Sequence, residues 1–495
     1  MKNYIKILFI LPVFLLGAVG CTDDFAEINL NPNLPTDVGP NNLLSSIIFD
    51  PINPNINMQI KFIGQVMQYL VFTNENAFDV YNFAGDAAVT DAVWAANYSA
   101  LRDSRDMVSR ANGDVGYLAA ANIMDAYHLA ILTDMWRDVP NTNAGLGLEE
   151  INPSYDSQDA VFADILNRLA EADGLLAGSG TKFGQGGDVL FGGDIDRWRR
   201  MANSLRLKYL LRVSNVMPSA QSQFEQIVNG SPIITSNADQ AVFDITGDAP
   251  NVSDFSNFTA LSGITMSVRF VELLTNGTPA DYSDDDPRMD VLARMRADGT
   301  QDEAEGRALG FIGTQNGDSE ITAKVIAEEH NSTKLRPIFQ ENRGLWDFGY
   351  ITHAELQFIL AEAALMGWNV PESAETYYNN GIQANFDYWG IAMPDGFLDR
   401  SDISFANAAD QLEQLLNQKW IAGLGVNMFD TWGDFKRTGK PSLTLGAQVT
   451  ANGFTTVPNR MFYPILESQI NSTNYQAASS TIGGDMITVR HWYQN

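Results

Sequence analysis

Apolar residues recur at helical spacing over long stretches of the first half of the chain. The stretches 43–72 and 156–177 each carry an apolar stripe, and residues 118–135 are apolar on almost every face. A stripe predicts a helix that packs on a core, whereas apolar residues all round predict a helix buried inside it. The pattern therefore predicts a helical scaffold over about 41–228.

A second helical part, about 350–422, is indicated by helix-terminal signals. Thr352 and Glu355 have the spacing of a capping box, in which the threonine caps the helix and the glutamate reaches back to the cap. Gly367 is predicted to end this helix, and Pro371 to begin the next. Short helices joined by short turns form antiparallel pairs, and successive pairs predict a tetratricopeptide-like stack.

Glycine, asparagine, aspartate and serine replace the apolar periodicity elsewhere. The stretch of about 230–345 is predicted to be loop-rich, and so is the C-terminal segment 440–495. Residues 73–90 are polar with aromatic residues among them, and we interpret them as a loop. Long loops in a compact protein are more often functional than structural, so these segments are where we expect ligand contacts.

The first residues have the layout of a bacterial export signal. Lys2 and Lys6 precede the apolar run Ile7–Val19, and small residues follow. The run is shorter than the roughly 20 residues that span a bilayer. We predict a signal peptide over 1–20.

Cys21, the single cysteine of the chain, directly follows these small residues. This ending resembles a lipobox, although Ala18 stands where leucine is usual; an ordinary secretory signal followed by a chance cysteine is the alternative. We predict that Cys21 is lipidated and that a Pro- and Asn-rich tether, 21–40, follows. Several acyl chains anchor a protein stably. Asp23 and Asp24 resemble the acidic signal that sends lipoproteins of Bacteroidota to the outer face of the outer membrane.

The charge of the chain narrows the classes of ligand. The sequence holds 31 basic and 60 acidic residues, a formal net charge of −29. Such a surface repels phosphate backbones, which argues against nucleic acid as a partner. Six basic residues lie between Arg197 and Arg212. We interpret them as ion-pair partners of the many carboxylates, and an anion site is the alternative.

Motifs of catalysis and metal binding are missing from the sequence. His353 is followed by Ala-Glu-Leu-Gln and not by the second histidine of a zinc protease, and no Gly-x-Ser-x-Gly elbow occurs. The acidic run Asp281–Asp286 invites a calcium interpretation, but it lacks the glycine and distal glutamate of an EF-hand. We predict no cofactor, no metal and no enzymatic activity. A carboxylate pair of a glycoside hydrolase remains an alternative that the sequence does not resolve.

Six segments, in chain order, match the scaffold motifs of one family of proteins. They are Leu132–Pro140, Trp198–Leu207, Asp286–Arg288, Thr352–Ala363, Gln418–Ala422 with Asp430–Trp432 and Arg437–Pro441, and Arg460–Pro464 with Glu467–Asn471. Together they resemble the SusD/RagB nutrient-binding lipoproteins of Bacteroidota, with Arg137 in place of the usual glycine. The matches run across about 20–490.

The resemblance implies a mostly α, SusD-like fold: tetratricopeptide-like helix pairs plus a loop-rich region that presents ligand, in a single domain over 41–495. It also implies a partner, a SusC-like TonB-dependent transporter over which the protein sits as a lid. Most members of that family take up glycan oligosaccharides, and some take up peptides. The matching motifs are scaffold, so they identify the family and not the ligand.

We expect the ligand site to be a shallow platform formed by the loops 73–90 and 281–346, where aromatic faces stack on sugar rings. The predicted contacts are Asn76, Phe78, Tyr81, Phe83, Asp86 and Trp346. Core packing is the alternative for each of them, above all for Phe78 and Phe83. Capture of oligosaccharides for the transporter is the preferred function; capture of peptides by the same mechanism and secreted glycoside hydrolysis are its rivals.

Overall fold

A computed structural model describes most of the chain after the N-terminal region. The described residues are 38–73, 77–83, 87–180, 182–249, 251–252, 264–276, 284–294, 313–319, 322–323, 334–335 and 347–494. Residues from Pro40 onward form one compact unit. The predicted signal peptide, Cys21 and most of the tether lie outside the described residues. The described part is mostly helical, which confirms the predicted fold class.

Helices of the first half pack mainly against their neighbours in sequence. They are Pro40–Phe49, Ile52–Met58, Ala87–Arg110, Val115–Trp136, Gln158–Leu176, Ile195–Arg212 and Ala220–Gly230, with a π-helical turn at Gln59–Ile63 that continues into Gly64–Val66. From Ala87–Arg110 to Ala220–Gly230 each helix packs on the next one along the chain. This is the stacking of helix pairs that the sequence predicts.

The second half combines a further helical stack with short helices between loops. These helices are Val268–Leu274, Arg288–Leu292, His353–Leu365, Ala374–Trp389, Gln411–Gly423, Phe429–Thr438, Ala447–Ala451, Ile465–Ile470 and Ser472–Thr481. His353–Leu365 packs on both Ala374–Trp389 and Gln411–Gly423. The C-terminal segment, predicted to be loop-rich, therefore contributes short helices of its own.

The strands are short and pair in antiparallel two-stranded sheets that tie distant segments together. The pairs are Leu70–Phe72 with Ile264–Met266, Val139–Pro140 with Tyr155–Asp156, Ala241–Phe243 with Phe348–Ile351, and Ala293–Arg294 with Lys334–Leu335. In the first of these, Leu70 is opposite Met266 and Phe72 is opposite Ile264. A parallel bridge between Ser267 and Thr314 then brings the segment 313–319 alongside. These connections bring three segments that are remote in sequence next to one another.

The helix Val115–Trp136 is the central helix of the core. Asp114 caps it by accepting a hydrogen bond from the Gly116 N–H at 2.8 Å, and Arg137 ends it with a positive φ of 76°. Among the described residues it is the one helix that is long and apolar enough to cross a membrane, and 83% of its apolar window is buried inside the protein. It is the buried core helix that its sequence predicts.

The predicted capping box is half correct. The Thr352 hydroxyl caps His353–Leu365 by accepting from the Glu355 N–H at 3.0 Å. The Glu355 carboxylate does not reach back to the cap; it pairs with Lys208 at 2.6 Å. An ion pair in the core satisfies a buried carboxylate better than one backbone N–H does. Pro371 also lies before the next helix rather than in it, because Ser373 supplies the cap of Ala374–Trp389.

Buried charges from three helices meet in one network centred on Asp430. The carboxylate of Asp430 pairs with Arg212, with Lys419 at 2.6 Å and with Lys208 at 3.8 Å. Burial alone would raise the pKa of Asp430, but these three cations hold it well below its ordinary value. Two of the basic residues between Arg197 and Arg212 thus pair in the core. Arg199 and Arg200 also pair with carboxylates, as the simpler interpretation predicts.

Candidate functional site

An open cleft of about 600 Å³ lies where three remote segments of the chain meet. These segments are 77–83, 313–319 and 446–454. The lining side chains are mainly aromatic and uncharged polar: Val80, Tyr81, Asn82, Ser319, Gln448, Asn452 and Phe454. A cleft of this size and chemistry suits a small polar ligand with apolar faces. We name it the Tyr81 cleft.

Backbone hydrogen bonds fix the wall formed by the helix Ala447–Ala451. Two N–H groups in its first turn, those of Gln448 and Val449, donate to the Gly317 carbonyl at 2.9 and 3.2 Å. Gly317 has a φ of +74°, and a Cβ there would lie 2.8 Å from the Gly446 nitrogen. Only glycine satisfies both conditions, so the meeting of these two segments depends on it.

Amide side chains join this wall to the segment that carries Tyr81. The Asn452 Nδ2 donates to the Val80 carbonyl at 3.0 Å, and the Gln448 Nε2 donates to the Asn452 Oδ1 at 2.8 Å. Gln448 is half-buried and Asn452 is exposed. The chain of amides holds the rim of the cleft in a fixed arrangement before any ligand arrives, which lowers the entropic cost of binding.

Tyr81, which lines the cleft, has a strained backbone conformation. Its φ is +60°, which is uncommon for a residue with a Cβ. The ring packs edge-on against Phe454, with 5.5 Å between the centroids, and only 6% of the residue is exposed. Burial raises the pKa of the Tyr81 hydroxyl, so it remains neutral and can donate and accept hydrogen bonds. Strain of this kind persists where the surroundings impose it, often at ligand sites.

The structure places two of the predicted ligand residues in the core rather than on the wall of the cleft. Phe78 and Phe83 are 1% and 6% exposed. Each packs edge-on against Phe62 at 5.4 Å, and Phe62 packs in turn on Trp432. Core packing thus accounts for both rings, and Phe83 also packs edge-on against Tyr81, with 6.4 Å between the centroids.

Three other predicted contacts, Asn76, Asp86 and Trp346, lie outside the described residues. Tyr81 is the predicted residue that the structure brings to the cleft wall. Sequence reasoning missed the contribution of 446–454, where Gln448, Asn452 and Phe454 lie. The signal there was weak: one aromatic residue following Asn452-Gly453 in a loop-rich segment far from Tyr81 in sequence.

Asp79 holds the back of the cleft together. Its carboxylate accepts from the Asn316 Nδ2 at 2.8 Å and from the Gly317 N–H at 2.7 Å. The residue is 2% exposed, and burial raises its pKa to about 7 although both hydrogen bonds favour the ionised form. Asp318 nearby raises the pKa further. Asp79 therefore links the Tyr81 segment to the turn that supports Ala447–Ala451.

The raised pKa of Asp79 predicts a pH-dependent stability. The unfolded chain releases this proton near pH 4, while the folded protein retains it until about pH 7. The contribution of Asp79 to the free energy of unfolding should therefore be largest below pH 4, fall between pH 4 and 7, and stay level above. Asp79→Asn should remove that slope. Urea denaturation of both proteins from pH 4 to 8 measures it, and identical pH profiles would contradict the prediction.

The described lining of the cleft is aromatic, aliphatic and uncharged polar. None of the described residues that line it is Asp, Glu, His or Cys. Within the described part of the chain, no group of three such residues is placed to hold a metal ion. What the cleft offers is aromatic surface, hydroxyl groups and amides, which together suit a ligand rich in hydroxyls.

The chain matches a known family of proteins over most of its length. Residues 32–464 match the sequence profile of a family described as starch-binding proteins that associate with the outer membrane. This class of proteins binds nutrients at the outer membrane. The chain belongs to that family, the SusD-like proteins. No curated protein sequence matches the chain.

Solved structures share this fold over nearly the whole chain. A SusD homologue from Bacteroides fragilis has a TM-score of 0.77 and 24% sequence identity, covering 93% of this chain and 100% of its own. A chitin-binding protein has a TM-score of 0.76 and 24% identity, with coverage of 92% and 100%. A chitin-binding SusD homologue from Flavobacterium johnsoniae has a TM-score of 0.75 and 21% identity, with coverage of 92% and 98%. At these identities the likeness concerns the fold.

Proposed function

We propose that this protein captures glycan oligosaccharides at the cell surface and delivers them to a SusC-like TonB-dependent transporter. The observation that carries the proposal is the Tyr81 cleft. Two aromatic rings, Tyr81 and Phe454, lie there beside the amides of Asn82, Gln448 and Asn452. Sugar rings present apolar C–H faces to aromatic rings and hydroxyls to amides, so this combination suits a saccharide. Chitin binding by two proteins of the same fold supports the choice of ligand class.

The role we propose is binding without turnover. A retaining or inverting glycosidase needs two carboxylates flanking the scissile bond, and the described lining of the Tyr81 cleft supplies none. A bound oligosaccharide should therefore be recovered intact after long incubation. Release of shorter products by the purified protein would favour the rival hypothesis, a secreted glycoside hydrolase.

Calorimetric titration distinguishes glycans from peptides as ligands. Maltooligosaccharides, chitooligosaccharides and a set of mixed peptides should be titrated into the purified protein under identical conditions. We expect the protein to bind at least one of the two glycan series. Binding of peptides alone would overturn the proposal and favour the peptide-capturing alternative.

The proposed partner is tested in the native membrane. The tagged protein, extracted in mild detergent from its own outer membranes, should carry with it a large β-barrel transporter of the TonB-dependent class. Such a lid arrangement gives an effective concentration of captured ligand at the transporter that free diffusion does not reach. Recovery of the protein without any such barrel would count against delivery by this route.

The proposed lipid anchor rests on Cys21. Cys21→Ser removes the thiol that receives the lipid, so the variant should be absent from washed outer membranes and present in the soluble fraction. Fractionation followed by immunoblotting measures this distribution. A matched control, Thr22→Ser, changes the neighbouring residue and should leave the protein in the membrane. Retention of Cys21→Ser in washed membranes would contradict the anchor.

A further inference from the structure

A second cavity, of about 340 Å³, borders the segment 313–319 that also borders the Tyr81 cleft. Its volume lies at the lower end of the roughly 300–1,000 Å³ typical of ligand pockets. Its polar lining consists of Gln68, Arg269, Glu272, Gln315, Asn316 and Thr444. It is also bordered by two aliphatic side chains, Val268 and Leu273. We name it the Arg269 cavity.

The guanidinium of Arg269 is held in a fixed position on the wall of this cavity. It donates to the Ser442 carbonyl and to the Asn417 Oδ1, and its central carbon lies 5.2 Å from the centroid of the Trp420 ring. These two hydrogen bonds use two of its five N–H groups. Within the described part of the chain, no carboxylate lies within ion-pair distance of it. Arg269 is thus a cationic donor held in a fixed position on the cavity wall.

Glu272 supplies an acceptor on the same wall. Arg269 and Glu272 are three residues apart on the helix Val268–Leu274, so they share one face of it. Glu272 is exposed, whereas Arg269 is half-buried. The cavity therefore presents a cationic donor and an anionic acceptor side by side. This pairing suits vicinal hydroxyls of a neutral sugar, because Glu272 would repel a ligand carboxylate.

Gln68 also lines the Arg269 cavity and, like Tyr81 in its cleft, has a strained backbone conformation. Gln68 has a φ of +58°. The Gln68 side-chain amide donates to the Thr444 carbonyl and accepts from the Thr444 N–H. The Ser267 hydroxyl donates to the backbone carbonyl of Gln68. These contacts hold Gln68 in a conformation that a residue with a Cβ seldom adopts. The cavity is therefore preformed.

The two cavities border the same short segment of chain. Gln315 lines the Arg269 cavity and Ser319 lines the Tyr81 cleft. Four residues of extended chain span at most about 14 Å, which limits the separation of these two backbone positions. Asn316, on the wall of the Arg269 cavity, also donates to Asp79 behind the Tyr81 cleft. The same rigid segment positions both.

We infer that the Arg269 cavity is a second saccharide subsite, which binds a neutral sugar ring of an oligosaccharide whose other end occupies the Tyr81 cleft. This inference rests on the proposed function and adds a specificity for length to it. Arg269 donates to ring hydroxyls and Glu272 accepts from them. The side chains of Val268 and Leu273 contact the apolar C–H groups of the sugar. Short saccharides fill only one subsite, so affinity should rise once the chain is long enough to reach the other.

The experiment compares saccharides of increasing length in the wild type and in Glu272→Ala. Maltooligosaccharides from maltose to maltoheptaose and chitooligosaccharides from chitobiose to chitohexaose are titrated calorimetrically. Glu272 is exposed, so its truncation should leave the fold intact; circular dichroism and a melting curve verify this. The matched control is Glu375→Ala, which truncates an exposed glutamate on the remote helix Ala374–Trp389.

The inference predicts a selective loss of affinity. Glu272→Ala should weaken binding of the longest saccharides about tenfold and leave disaccharide binding unchanged, because a charge-assisted hydrogen bond is lost only when the second subsite is filled. Glu375→Ala should bind like the wild type at every length. Equal affinities of Glu272→Ala and wild type at all lengths, or equal losses at all lengths, would overturn the inference. Absence of glycan binding by the wild type would instead overturn the proposed function.

Discussion

Asp430→Ala should destabilise the protein by about 3–5 kcal/mol, the cost of removing one partner from a buried ion network. The substitution leaves Arg212, Lys208 and Lys419 in the core without the carboxylate that they share. Asp134, Glu355 and Asp434 each neutralise only part of that charge. Chemical denaturation at neutral pH, with linear extrapolation to zero denaturant, measures the change in the free energy of unfolding.

A surface ion pair provides the control for this prediction. Asp106 pairs with Arg110 at 2.7 Å on the helix Ala87–Arg110, and 42% of the Asp106 side chain is exposed. Asp106→Ala should cost no more than about 0.5 kcal/mol, because solvent screens the pair. If Asp430→Ala costs as little as Asp106→Ala, the network does not hold the helices together as we describe.

Phe454→Ala should weaken glycan binding by about 2 kcal/mol, a loss in affinity of roughly 30-fold. The Phe454 ring is half-buried and forms the aromatic wall of the cleft together with Tyr81. Its truncation removes stacking surface, while the backbone bond from the Phe454 N–H to the Val449 carbonyl remains. Titration calorimetry with the glycan that the wild type binds most tightly measures the effect.

An exposed phenylalanine outside the cleft serves as the matched control. Phe462 is 40% exposed and is not among the residues that line the Tyr81 cleft. Phe462→Ala should bind glycan with wild-type affinity and should differ little in stability. Equal affinities of Phe454→Ala and wild type would exclude Phe454 from the ligand site.

The scaffold was largely predictable because its motifs serve packing, and packing leaves strong patterns. Three of the segments that carry the family resemblance lie at the buried charge network. Lys208 and Arg212 follow the motif Trp198–Leu207 on the same helix, Glu355 lies in a second motif, and Lys419 and Asp430 lie in a third. A buried charge must be paired, so its partners are restricted in type and position. Because of these restrictions, the residues form motifs that can be recognised in a single sequence.

The candidate ligand site was less predictable for a physical reason. Tyr81, Ser319 and Phe454 come together only through long-range contacts, namely the paired strands, the bridge at Thr314 and the turn at Gly317. None of these contacts has a periodic signature. Phe78 and Phe83 show the converse: aromatic residues in a polar loop resemble exposed ligand contacts, yet the structure buries them against Phe62.

The glutamate of the capping box illustrates how tertiary structure overrides a local rule. Thr352 and Glu355 have the sequence of a reciprocal cap, and the threonine does cap the helix. Glu355 lies in the core, where Lys208 and the Asn427 amide are its partners. A local motif predicts the backbone contact correctly, but not the side chain that long-range packing recruits.

Soaking crystals of the protein with its tightest-binding oligosaccharide would show where the ligand binds. We expect electron density for a sugar ring in the Tyr81 cleft, with its C–H face toward Phe454 and its hydroxyls within hydrogen-bond distance of Asn82, Gln448 or Asn452. Density for the ligand on another surface, with the Tyr81 cleft empty, would contradict this expectation.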